Sequence, residues 1–153
     1  TRVQQTRLKK AVEKVKEDYD FCVIDNAPDI NISVINALAA ADDVLIPIEI
    51  DDNTTEGMGE LLKQIDTIKR DWNPEMKNVK CFVSRYNRYN EAHTEGAEII
   101  RECYPTMHTV IRNSLAVAKS TYAKMPVVQY NKRSAAAKDY EKLVKEYLQM
   151  IGR

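Results

Sequence analysis

The sequence predicts an α/β fold, a mostly parallel sheet flanked by helices, and three observations carry that prediction. Short apolar runs rich in β-branched and aromatic residues, at Phe21–Ile24, Val44–Ile48 and Val79–Val83, have the composition of strands buried on both faces. Longer stretches between them carry apolar residues at helical spacing. The two kinds alternate along the chain, which implies right-handed crossovers and parallel strands. With 153 residues there is enough chain to bury a core, and residues 1–153 read as one domain.

Leu8, Ala11, Val12 and Val15 mark an amphipathic helix over residues 2–17. The stretch Tyr19-Asp20-Phe21-Cys22-Val23-Ile24-Asp25 follows as a strand, and Pro28 stops it from continuing. Residues 32–41 are apolar almost all round, which suits a helix pressed on a sheet; Asp42-Asp43 ends it. Val44–Ile48 is the next buried strand, with Pro47 near its end. Asn53 and Glu56 have capping-box spacing before a helix carrying Met58, Leu61, Leu62, Ile65 and Ile68, which stops near Asn73-Pro74. Val79–Ser84 is a third strand, Arg85–Asn90 a polar aromatic loop, and residues 91–103 a helix. A short strand is expected at Met107–Ile111, a partly helical segment to Lys124, and an extended piece over Met125–Val128. Ser134 caps a last helix whose buried stripe is Tyr140, Leu143, Val144, Tyr147, Leu148 and Ile151.

An apolar content of 44% with 30% charged residues is ordinary for a soluble globular protein. No apolar run approaches a membrane span and the first residues do not read as a signal peptide, so no membrane is expected. Cys22, Cys81 and Cys103 have no metal-ligand spacing; buried reduced thiols at 22 and 81 and a cytoplasmic location are expected. The net charge is zero but uneven. Residues 17–75 carry 15 acidic against 3 basic residues, and residues 101–153 carry 10 basic against 4 acidic. A basic final third is compatible with a polyanion partner, or with an ordinary solvated surface.

Asp25 closes an apolar run, and ligands collect at the carboxyl ends of parallel strands. A carboxylate there suits a metal ion, directly or through water, or it serves as a helix cap or turn residue. His93 and His108 lack a second ligand at metal spacing and read as structural. Tyr86, Tyr89, Tyr122 and Tyr130 read as sheet-edge packing rather than base-stacking groups. Asp42-Asp43 precede a strand, the wrong end of a sheet for a phospho-receiver pocket.

Taken together, Tyr19–Asp25, the block Ile35-Asn36-Ala37-Leu38-Ala39-Ala40-Ala41-Asp42-Asp43-Val44-Leu45-Ile46-Pro47, Glu56-Gly57 with Leu61-Leu62, Ile111–Ser114 and Ser134–Leu143 resemble the ParA/Soj partition ATPases. These are relatives of MinD with a deviant Walker phosphate loop. The likeness runs through nearly the whole chain in the right order. It departs at Asp25-Asn26-Ala27-Pro28, where the family has D-x-P-P, and in having no G-x-x-x-x-G-K-[ST] loop or deviant equivalent. The chain therefore resembles the C-terminal half to two-thirds of such an ATPase, an incomplete P-loop NTPase fold of the SIMIBI type.

The resemblance implies ATP and Mg²⁺ as cofactors of the full-length protein. It makes Asp25 the Walker B-type aspartate that reaches Mg²⁺ through water, and puts Asn26 and Pro28 in the turn that senses the γ-phosphate. Arg85 and Pro126 would border the base. It further implies ATP-dependent homodimers that bind DNA non-specifically through Arg112, Arg85, Arg88, Lys119 and Lys132, on a bacterial nucleoid, with a ParB-like centromere-binding partner. Without a phosphate loop the chain alone is expected neither to hold ATP tightly nor to hydrolyse it, and to dimerise or swap beside the Asp25 strand. The alternative is a non-catalytic relative that works as an interaction module.

Overall fold

The computed structural model describes residues 2–27, 30–51 and 54–153. These fall into two compact units, one from Thr1–Val44 with Glu56–Val79, the other from Leu45–Thr55 with Lys80–Arg153. Pro28, Asp29 and the proposed cap Asn53 lie outside the described residues.

In the first unit the expected helix over 2–17 is broken into α1 (Arg2–Gln5), α2 (Arg7–Val12) and a 3₁₀ turn at Lys16–Asp18. No residue of α2 or of the 3₁₀ turn is buried. Helices this short gain their stability from a packed face, so local propensity does not extend them. Helix α3 (Ile32–Ala40) forms where the sequence predicts it. Asn31 caps it, its side-chain oxygen accepting from Ser33 N at 2.9 Å and Val34 N at 3.2 Å. Ala37, Leu38 and Ala39 are buried. Helix α4 (Thr54–Trp72) buries Met58, Ile65 and Ile68 of the predicted stripe, while Leu61 and Leu62 are half-buried. Beyond it, buried Asn73 donates its amide to Leu38 O at 2.9 Å and Ala41 O at 2.7 Å, satisfying carbonyls at the end of α3.

Strands β1 (Asp43–Glu49) and β2 (Asn78–Ser84) pair. Their register is parallel. At the start Lys77 N donates to Asp42 O and Asn78 to Asp43; near the end Ser84 Oγ donates to Ile48 O. The expected strand at Tyr19–Asp25 does not form: among the described residues the ladder is β1–β2, with isolated bridges from Cys81 to Thr106 and from Tyr86 to Arg112. Strand propensity becomes a strand only through a ladder, and with none the side chains turn outward. Val23 is 92% exposed, and Phe21 and Cys22 are exposed too, against the burial expected of the run Phe21–Ile24.

In the second unit Cys81 and Val83 are fully buried on β2. Residues 105–113 run parallel to β2 but pair only at their ends: Cys81 N donates to Pro105 O, Met107 N to Cys81 O, and Ile111 N to Val83 O, each at 2.8 Å. Four residues on this side span two on β2, so the expected strand at 107–111 is a bulge. The N–H groups it turns away from the ladder are taken by Glu146, which accepts from His108 N at 2.6 Å and Thr109 N at 2.9 Å. Helix α5 (Glu91–Cys103) matches its predicted bounds, capped by Asn90. Helix α6 (Leu115–Tyr122) is capped by Ser114. The piece expected to be extended at 125–128 instead enters α7 (Val127–Tyr130), because the Pro126 carbonyl accepts from both Gln129 N and Tyr130 N. Helix α8 (Ala135–Met150) begins at Ser134, whose hydroxyl accepts from Ala137 N. Its Ala136 and Leu143 join Met107 and Ile111 in a core cluster with Phe82, Val117, Tyr140, Tyr147 and Met150 packed around it. Val144, placed in that stripe from sequence, is exposed. Among the described residues no helix is long and apolar enough to cross a membrane.

Candidate functional site

The second unit carries an open groove of about 260 Å³ lined by Tyr86, Asn87, Arg88, Tyr89, Arg112 and Asn113. Its floor follows from how β2 ends. Arg85 turns the chain with φ 52, in the left-handed region, and its guanidinium lies 3.2 Å from the Glu49 carboxylate. Tyr86 then rejoins the neighbouring segment, its N donating to Ile111 O and its O accepting from Asn113 N, both at 2.9 Å. Asn87 closes the loop by accepting from Tyr89 N at 3.1 Å, an Asx turn. His93 Nδ1 faces Asn87 N at 3.4 Å, and its ring centroid lies 6.4 Å from that of Tyr86. Arg88 stands over the Tyr89 ring, 4.7 Å from its centroid, and donates to the Tyr89 hydroxyl.

Arg112 forms the opposite wall and is fixed from behind. Its Nε donates to Asp139 Oδ2 and its Nη2 to Oδ1, both at 2.7 Å, while its backbone N donates to Oδ2 at 3.1 Å. Asp139 is only 4% exposed. Burial alone would push its carboxyl up, but the hydrogen bonds and charge of Arg112 outweigh this and hold it below the usual carboxylate range. The same hydrogen bond raises Arg112, against the opposing effect of burial. Asp139 escaped the sequence reading, although its place on the Ala136–Leu143 side of α8 put a charge on an apolar face and so asked for a cation.

Of the residues predicted to act, Arg88 and Arg112 meet in this groove. Arg85 precedes it, engaged with Glu49. Pro126 is exposed at the start of α7, and Lys119 and Lys132 are exposed on α6 and after α7. Asp25 and Asn26 are exposed in the first unit, and Asn26 Nδ2 donates to Ile24 O at 3.3 Å. Pro28 lies outside the described residues. The tyrosines expected to pack at sheet edges do not all do so: Tyr89 and Tyr122 stand in solvent. Residues 113–138 contain no Asp or Glu and carry Lys119, Lys124, Lys132, Arg133 and Lys138.

The AAA_31 family model, described as an AAA domain, matches residues 1–78. The chain belongs to this family. It is similar to the chromosome-partitioning ATPase Soj of Treponema pallidum, 27% identical over 147 residues, covering 95% of this chain and 58% of that protein. It is likewise similar to the chromosome partitioning protein ParA of Myxococcus xanthus, 27% identical over 148 residues, covering 95% of this chain and 52% of that one. The ParA/Soj resemblance read from the sequence is thus borne out, and the chain spans about half the length of the curated relatives it matches. Among solved structures, cobyrinic acid a,c-diamide synthase from Mycobacterium smegmatis with bound ADP and magnesium aligns with TM-score 0.78 at 20% identity, over 96% of this chain and 54% of that one. The septum site-determining protein MinD of Pyrococcus horikoshii, complexed with Mg-ADP, aligns with TM-score 0.73 at 18% identity, over 97% and 58%. These likenesses show that the chain shares the α/β fold of those proteins over their aligned halves.

The residues present here do not make a complete magnesium–nucleotide site. Among the described residues no group of three or more His, Cys, Asp or Glu is placed to hold a metal ion. One exposed carboxylate at Asp25 suits an outer contact through water and no more. No glycine-rich lysine loop occurs in the sequence to cradle phosphates.

Proposed function

We propose that this chain is the C-terminal portion of a ParA-type partition ATPase. The whole protein would use ATP and Mg²⁺, form ATP-dependent homodimers on DNA without sequence preference, and respond to a ParB-like centromere-binding protein on the nucleoid of a bacterial cytoplasm. The observation that carries this reading is the similarity to named partitioning proteins over 95% of the chain, with the Ile35–Pro47 block inside it. In the whole protein Asp25 would reach the metal through water, Asn26 and Pro28 would form the adjoining turn, and Arg85 and Pro126 would border the base. DNA contacts fall to Arg112, Arg85, Arg88, Lys119 and Lys132. Non-specific DNA binding is phosphate contact and counterion release, so a surface free of acidic residues over 113–138 supports it without any base-reading geometry.

Two measurements test the reading. The gene upstream of Thr1 should carry a lysine- and glycine-containing phosphate loop in frame; a start codon shortly before Thr1 would instead make the chain a non-catalytic interaction module. Duplex DNA binding, followed by fluorescence anisotropy, should weaken as salt rises, with a log–log slope of about −0.9 per phosphate contacted. Affinity independent of salt would remove DNA from the partners.

A further inference from the structure

Helices α5 and α8 of the second unit present opposite charges to solvent. On α5 Glu91, Glu95, Glu98 and Glu102 are exposed, and at about 3.6 residues per turn they share an arc of about 60°, turned away from the buried Ala97 and Ile100. On α8 Lys138, Lys142 and Lys145 are exposed and share an arc of the same width, turned away from the buried Ala136 and Leu143. Arg101 and Glu141 stand beside the two stripes rather than in them. Among the described residues none of the seven side chains enters an ion pair; Lys142 acts on Asp139 through its charge alone. Like charges three and four positions apart repel along a helix, so each stripe weakens its own helix until opposite charge is laid against it.

We propose that the partner of both stripes is a second copy of this protein, with α5 of one molecule lying antiparallel along α8 of another. The spacings agree: Glu95, Glu98 and Glu102 step by three and four, and Lys138, Lys142 and Lys145 step by four and three. Laid antiparallel, Glu102 meets Lys138, Glu98 meets Lys142 and Glu95 meets Lys145, and the helix dipoles oppose each other. The formal net charge of zero leaves no general repulsion to hold copies apart. A polyanion would satisfy the lysines and leave the glutamates unmatched, whereas a second copy satisfies both. One helix on another is a small contact, so the association is weak and salt-sensitive. It joins unlike faces, and a copy engaged through one still presents the other. It needs no nucleotide, and it stands apart from the partition-ATPase reading.

Sedimentation equilibrium of the whole protein, with nucleotide and DNA left out, tests this. At about 50 mM salt the average mass should rise with concentration, and at about 500 mM, where screening shortens to about 4 Å, it should stay that of one molecule. Glu95→Lys/Glu98→Lys and Lys142→Glu/Lys145→Glu should each weaken the association about tenfold or more, since each replaces two attractions by two repulsions. An equal mixture of the two variants should regain it, because their reversed stripes complement each other. Glu60→Lys/Asp66→Lys, the same change of net charge at exposed positions of α4, should associate as the wild type does. Every substituted side chain is exposed, and unchanged thermal unfolding checks the fold. A wild type that stays monomeric at low salt, a mixture that does not recover, or an α4 variant as weak as the others would overturn the proposal. So would lysine variants that lose duplex DNA and keep self-association, which would give the α8 face to DNA.

Discussion

Replacing Arg112 with Ala is the most informative single change, because the structure ties that residue to the fold before any ligand is considered. The substitution removes two charge-assisted hydrogen bonds of 2.7 Å and leaves the Asp139 carboxylate, whose side chain is 6% exposed, with the backbone N–H of residue 112 as its remaining partner. Breaking a fully buried ion pair from one side costs about 3–5 kcal/mol. The Arg112 side chain is 41% exposed, so water reaches its outer edge and the figure falls to about 2–3 kcal/mol. Urea unfolding of the wild type, Arg112→Ala, Asp139→Asn and the double variant measures this. The double variant should lose less than the sum of the singles, since each single strands a partner. The pH dependence has a definite sign. Asp139 is depressed in the folded state, so its contribution is present above the ordinary carboxylate pKa of about 4 and is lost as pH falls through the lower folded value. In Arg112→Ala burial is opposed only by the backbone N–H of residue 112 and the charge of Lys142, so that acid-side loss should shrink. A single variant within about 0.5 kcal/mol of wild type, or additive effects in the cycle, would refute the argument. In the full-length protein with ATP and Mg²⁺, DNA binding by Arg112→Ala, measured well below its melting temperature, should weaken and lose up to about one unit of salt slope. An unchanged slope would confine Arg112 to the fold.

Three other outcomes follow from local geometry. Burial would raise the Glu146 carboxyl, but hydrogen bonds from Thr109 and His108 outweigh it and hold it below its usual range, so its support of the bulge should be full above about pH 4.3 and fade below; Glu146→Gln should flatten that acid-side decline, and superimposable pH–melting curves would exclude it. Lys124, with φ 49, occupies the left-handed position after α6, its N donating to Thr121 O and Met125 N to Ser120 O; Gly152, with φ 77, fills the equivalent place after α8. Lys124→Gly should therefore raise stability by about 0.5–1 kcal/mol in denaturant titration, and a loss would show that the lysine stem packs. Burial pushes the Cys81 thiol up to about 11, with Lys80 opposing weakly, so a thiol reagent at pH 8 should label exposed Cys22 and Cys103 quickly and Cys81 only as fast as the unit opens.

How much of this was legible in the sequence depended on how far apart the deciding residues lie. Strands β1 and β2, helices α3, α4 and α5 and the Ser134 cap were readable because an apolar run and its stop signal sit within a few residues of each other. The bulge at 108–110 was not, since the carboxylate that accepts its turned-out N–H groups is 37 to 38 residues away. Short α7 was hidden by Val127-Val128, a β-branched pair whose preference is overridden by one proline carbonyl and by packing against its neighbours. The stretch Tyr19–Asp25 has every local mark of a buried strand and forms none, because those marks describe a residue's fitness for a ladder and say nothing of whether the adjacent strand is there. The candidate site divides in the same way. Arg88 and Arg112 were nameable from the sequence, whereas the residue that fixes Arg112 lies 27 positions downstream. What the sequence concealed was the pairing that spends part of this cation's charge inside the protein. Any polyanion bound by the groove must therefore draw on Arg88 more than on Arg112, since a carboxylate at 2.7 Å already neutralises much of the latter.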